Sequence, residues 1–153
     1  MPDANFTYDV LIVGTGNAAS SAALAALEKT PRVGMLEKAT QRDRGGNSML
    51  TVLMRFAFNG AEDLKPLIRN YSDDEMRPLL EGLPHRTEAE LWDEIMRVTN
   101  NQADQDMLQV HVTESLKTVH WLASKGHDWS PATIRDDNVV TMNGGGRSEE
   151  HTV

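Results

Sequence analysis

Gly14 and Gly16 stand one residue apart at the end of the apolar run Tyr8–Val13, and Glu37 closes a second such run. Those residue types in that order suit holding the pyrophosphate and ribose of a dinucleotide against backbone, with a merely tight turn as the plainer alternative. Gly14 permits a sharp strand-to-helix turn. Gly16 has no Cβ, so phosphate oxygens can approach the main chain closely. The helix that follows offers unpaired N–H groups and its dipole to an anion. Ala19 stands where a third glycine is usual, and with Ala23 it keeps that helix tight on the strand. Glu37 lies where a carboxylate accepts hydrogen bonds from ribose hydroxyls, and its charge argues against a 2′-phosphate and so against NADP. Asp9, polar near the start of the first run, fits the same pattern.

These residues need elements to position them. Tyr8–Val13 is a continuous apolar run, as expected for a strand buried on both faces. Asn17–Lys29 is rich in Ala and Leu, which favours helix, and Pro31 stops it. Arg32–Glu37 reads as a second strand, parallel to the first through a right-handed crossover. A loop with Gly45 and Gly46 at its centre follows. Taken alone, Gly-Gly-Asn is more often an ordinary turn than a site.

Further along, Ala61–Asn70 reads as a short helix or turn. Ser72–Glu75 and Thr87–Glu90 are capping boxes ahead of apolar helical faces. A long helix is expected over about Asp104–Lys125, with Leu108, Val112, Leu116 and Val119 on one face and Gly126 as its stop. Val139–Met142 reads as a third strand, before a Gly-rich turn and a polar tail. A doubly wound sheet has five or six strands, so part of the architecture is expected to be missing.

The run from Asp9 to Glu28, "DVLIVGTGNAASSAALAALE", with "LEKATQRDRGGNSMLT" after it, resembles the N-terminus of the fumarate reductase/succinate dehydrogenase flavoprotein superfamily. The later "LWDEIMRVTNNQADQDMLQVHVTES", "VHWLASKGHDW" and "NGGG" resemble its tricarballylate dehydrogenase branch. The resemblance runs from Tyr8 to Gly146. It implies an α/β fold, the N-terminal portion of a Rossmann-like FAD-binding domain, incomplete in this chain. Residues 1–60 would supply the βαβ unit and Gly-Gly loop, and 61–153 the helical segment and Gly-rich end of the same domain.

The resemblance also implies FAD, and it assigns residues to it. Gly14, Gly16, Asn17 and Ala18 fall on the pyrophosphate. Glu37 and Lys38 fall near the adenosine ribose. Arg44, Gly45, Gly46, Asn47, Ser48 and Thr51 fall on the loop passing the pyrophosphate and flavin. Successive glycines can free N–H groups as an anion nest, and Ser or Thr hydroxyls can bond flavin heteroatoms. No histidine lies in this loop, where flavinylated relatives carry one, so non-covalent FAD is expected. Val52, Leu53 and Met54 are bulkier than the residues common there. The implied activity is that of an oxidoreductase acting on CH–CH of a small carboxylic acid such as succinate, fumarate or tricarballylate. The arginine and histidine that handle substrate in the superfamily come from later segments, so the catalytic residues map onto nothing here, and this chain alone is expected to be inactive. Arg55 is the one basic residue with a claim on substrate, against the commoner role of a surface arginine.

Two other classes stand beside this reading: a nucleotide-binding module without catalysis, and an NAD-dependent oxidoreductase. Composition narrows the field further. The 153 residues carry a formal net charge of −8, so the cationic footprint of a nucleic-acid binder is missing. There are no cysteines, hence no disulfide, thiolate metal site or catalytic thiol. The five histidines form no His-x-x-x-His pair, and His111 and His120 are expected to be structural groups in the long helix. The first residues lack a secretory pattern, and polar residues interrupt Val10–Leu27 as a membrane span. A cytoplasmic location is the expectation, with no metal and an unknown electron-transfer partner.

Overall fold

The computed structural model describes residues 6–51, 54–69, 71–81, 85–134 and 139–143. The chain divides into two compact units, Met1–Thr51 and Val52–Val153, and its class is mixed α/β. Among the described residues, no helix is long and apolar enough to cross a membrane.

The first unit is built from strand β1 (Val10–Val13), helix α1 (Asn17–Leu27) and strand β2 (Val33–Leu36). The strands are parallel, with Val10 opposite Val33 and Val13 opposite Leu36. Two further bonds extend the pairing. Asp9 N–H donates to the Arg32 carbonyl at 2.8 Å, and Gly14 N–H to the Leu36 carbonyl at 2.6 Å. Parallel strands so close in sequence require a crossover, and α1 supplies it. At the strand entrances, the Arg32 guanidinium and the Thr30 hydroxyl both donate to the Asp9 carboxylate. A 3₁₀ helix, Gly46–Leu50, follows Gly45.

The expectation of a strand buried on both faces is not met. Val10 and Ile12 are half-buried, but Leu11 and Val13 are 52% and 83% exposed. The alternation is that of a two-stranded sheet covered on one face, because α1 lies on one side only. β1 also starts at Val10 rather than Tyr8. The Tyr8 ring instead lies over Gly34, where an added Cβ would sit only 2.8 Å from it.

The second unit holds α2 (Ala61–Leu64), which runs into a 3₁₀ turn at Lys65–Leu67, then α3 (Asp73–Leu80), α4 (Glu88–Val98) and α5 (Gln105–Ser124). A hairpin follows, β3 (Ser130–Ile134) paired antiparallel with β4 (Val139–Asn143). Both capping boxes form. The Glu75 carboxylate accepts from Ser72 N–H at 2.9 Å, and that of Glu90 accepts from Thr87 N–H at 2.7 Å. Asp104 caps α5 by accepting from Met107 N–H, and Gly126 ends it at φ +92°.

The core of this unit forms around Phe56, Phe58, Leu64, Leu67, Val119 and Trp129. A second cluster joins Ala57 and Leu91 to Leu108 and Val112 of α5. The segment 54–58 contributes to both clusters. It is held by reciprocal bonds between Phe58 and Arg86 and by Ala57 N–H donating to the buried Ser115 hydroxyl at 3.0 Å.

Val139–Met142 forms a strand, as expected, within β4, and pairs in a hairpin with β3. His111 is exposed rather than packed, and His120 is half-buried. Gly144–Gly146, the polar tail, Val52 and Leu53 lie outside the described residues, whereas Met54 packs against the first cluster.

Candidate functional site

The turn between β1 and α1 is shaped by Gly14, at φ +102°, a conformation that L side chains rarely adopt. Gly16 is the N-cap of α1 in extended backbone, and its side makes no cap of its own. The cap comes from another segment. Asn17 N–H donates to the Ser48 hydroxyl at 2.9 Å. A Cβ on Gly16 would stand 3.3 Å from the Gly45 carbonyl and 3.4 Å from that same hydroxyl. The close approach that Gly16 permits is therefore made, in this chain, by its own Gly-Gly loop.

Thr15, between the two glycines, joins three segments. Its hydroxyl donates to Glu37 Oε2 at 2.5 Å and accepts from Gly45 N–H at 3.1 Å. Glu37 Oε1 accepts from Ala39 N–H at 2.9 Å. The Thr15 hydroxyl, then the Ala39 amide, hold the Glu37 carboxyl below its ordinary range, so it is anionic at neutral pH. The Lys38 and Thr15 amides act on it in the same direction.

The residues singled out from sequence separate into two groups. Gly14, Gly16, Asn17, Glu37, Gly45 and Ser48 come together in this knot. Ala18, Lys38, Arg44, Gly46 and Asn47 are exposed, and Thr51 leaves the 3₁₀ helix in extended backbone. Gly45 and Gly46 both have positive φ, at +108° and +56°. The Gly45 amide, which a nest would turn to an anion, here faces Thr15. The helix start, the shaped turn and the anionic carboxylate fit the adenosine and pyrophosphate half of a dinucleotide. The Ser48 hydroxyl sits on the first helix amide, so an anion arriving there meets it first.

Sequence reasoning missed Thr15 because a hydroxyl between two glycines carries no periodic or motif signal. It missed Ser115 for a similar reason, since a serine on a helix reads as solvent-facing. Arg55, considered for substrate, pairs with Glu94 in the second unit, and Arg86 stands 3.6 Å from the other oxygen of that carboxylate. A groove of about 430 Å³ in that unit is lined by Ala57, Phe58, Thr87, Val112 and Lys117. Two of its polar groups have partners, Thr87 in its capping box and Lys117 on Glu114. Among the described residues, no group of three His, Asp or Glu side chains could hold a metal ion.

No family model matches the chain, and neither a curated protein nor a solved structure matches it. The functional reading therefore rests on this geometry and on the sequence pattern.

Proposed function

We propose that the chain is the dinucleotide-binding, N-terminal part of an FAD-dependent oxidoreductase with a Rossmann-like domain, of the fumarate reductase type. One observation carries the reading. An anionic carboxylate at the end of a parallel second strand reaches back to a glycine turn that opens a helix. That arrangement joins a ribose acceptor to a phosphate seat. In this assignment Glu37 takes the ribose hydroxyls, and Gly14, Gly16 and the start of α1 face the pyrophosphate. Ser48 and the Gly45–Gly46 loop border it. FAD, when bound, supplies the hydride chemistry on a small carboxylic acid, and the protein holds and tunes it.

Titration of the full chain with FAD, followed by flavin fluorescence, tests this. Binding is expected, and Glu37→Ala should weaken it roughly ten- to a hundredfold through the loss of charge-assisted bonds. Acid precipitation should release the flavin to the supernatant, since the linkage is non-covalent. Binding of NAD in preference to FAD would move the chain to the nicotinamide class. Affinity unchanged in Glu37→Ala would put the site elsewhere.

A further inference from the structure

We infer that Thr15 is the positioning residue of this site, fixing the Glu37 carboxylate for ribose and drawing the Gly-Gly loop onto the turn. The inference rests on the dinucleotide reading and deepens it. A threonine hydroxyl has one proton to donate and lone pairs to accept with. A carboxylate can only accept, so the proton goes to Glu37 and the Gly45 amide donates to the oxygen left. The O–H···O⁻ bond is charge-assisted and short, at 2.5 Å, in the range of the stronger hydrogen bonds. Thr15 is itself anchored, since the Ser20 hydroxyl donates to its carbonyl at 3.4 Å.

Packing cannot orient Glu37 in its place. Among the described residues of the first unit Ala23 is the one buried hydrophobic side chain, and Leu36 and Lys38, on either side of Glu37, are exposed. The carboxylate is held by the Thr15 hydroxyl and by the amides of Ala39, Lys38 and Thr15, and of these residues Thr15 reaches across to the turn. The same hydroxyl ties residues 22 and 30 positions apart in sequence. Its removal should loosen the acceptor and the loop together.

The test compares Thr15→Val, which keeps the shape and removes the hydroxyl, with Thr15→Ser, which keeps the hydroxyl. Both are made in the full chain. FAD affinity is read by fluorescence titration, and the Glu37 carboxyl by its carbon chemical shift against pH. Thr15→Val should weaken FAD by about tenfold and move the Glu37 midpoint upward, because the bond it removes favours the ionised form. Thr15→Ser should keep the midpoint low and the affinity within about twofold of the parent. In a Glu37→Ala background Thr15→Val should cost less than the full tenfold, since only its bond to the Gly45 amide is left to lose. An unchanged midpoint in Thr15→Val, or a full tenfold loss persisting in the Glu37→Ala background, overturns the inference. A parent chain that binds FAD while Thr15→Val binds equally well overturns it too, with the dinucleotide reading intact. A parent chain that binds no FAD overturns that reading, and the inference with it.

Discussion

The two units of this chain are held by different physics. Among the described residues of the second, thirteen hydrophobic side chains are buried, from Phe56 to Trp129, and five helices or helical turns pack them. Among those of the first, Ala23 is the buried hydrophobic side chain, while Leu11, Val13, Leu36 and Leu50 are exposed. What the first unit has instead is a polar knot, in which Thr15, Glu37, Gly45, Ser48 and the Asn17 amide satisfy one another. Burial contributes about 25 cal/mol per Å² of apolar surface removed from water, so stability belongs chiefly to the second unit. The proposed binding site belongs to the first. A binding turn needs accessible backbone and an accessible charge, and both conflict with a dense core.

The sharpest way to break this contrast is to cut the same side chain in both units. Leu64 is fully buried, and Leu64→Ala should cost about 2–5 kcal/mol of unfolding free energy, transfer and cavity together. Leu11 is half-exposed on the open face of the sheet, and Leu11→Ala should cost less than about 1 kcal/mol. Chemical denaturation of each variant decides the matter. Equal losses would mean that the open face of β1 is covered in solution.

Gly16→Val tests the other side of the contrast. Its Cβ would press on the Gly45 carbonyl and the Ser48 hydroxyl, both within 3.4 Å, and the branched methyls would fill the proposed phosphate seat. FAD affinity should fall by more than about a hundredfold, or roughly 2.7 kcal/mol, with little change at the second unit's core. Isothermal titration beside the denaturation curve separates the two effects. A variant that binds normally would exclude this turn as the site.

How much of this was legible in the sequence follows the same division. Local signals read well: the Ser72 and Thr87 caps, the Asp104 start of α5 and the left-handed Gly126 are set by neighbours within a few residues. The glycine turn and its flanking strands read well for the same reason. β3 did not, because Ser130-Pro131-Ala132 lacks alternation and its strand character comes from pairing with β4. The Phe56-Ala57-Phe58 stretch, at the centre of the core, has no period to announce it. Thr15 and Ser48 were invisible as partners, since their bonds span 22 and 31 residues. Such contacts are decided by the tertiary fold and not by propensity.

Acid should act on both units in the same direction. Arg32 and then Thr30 lower the Asp9 carboxyl, and Thr15 and then Ala39 lower that of Glu37. In the second unit the Ser72 hydroxyl lowers Glu75, and the Thr87 amide lowers Glu90. A carboxyl whose folded pKa is depressed contributes stability above its ordinary value and loses it as pH falls through the folded one. Each unit should therefore loosen only below the ordinary carboxylate range, and hold steady from there to neutrality. Amide signals from α1 and α4, followed through an acid titration, report the units separately. Glu37→Gln should flatten the acid limb for α1 and leave that of α4 in place. A limb unchanged for α1 would mean that the polar knot does not hold the first unit.

The smallest expected effect is also the finest probe of the first unit. Gly34 has no positive φ, so alanine suits its backbone and would lower the entropy of the unfolded chain, a gain of about 0.4–1 kcal/mol. Against this, the new Cβ would meet the Tyr8 ring at 2.8 Å. The ring must give way, and it can, because Tyr8 is 44% exposed and stacks only on the exposed Phe6. The two terms nearly cancel, and Gly34→Ala alone should shift stability by less than about 1 kcal/mol. The cycle with Tyr8→Ala separates them. In that background nothing opposes the entropic gain, and Gly34→Ala should stabilise. If it destabilises there as well, the close packing at Gly34 involves more than the Tyr8 ring, and the first unit is denser than its exposed leucines indicate.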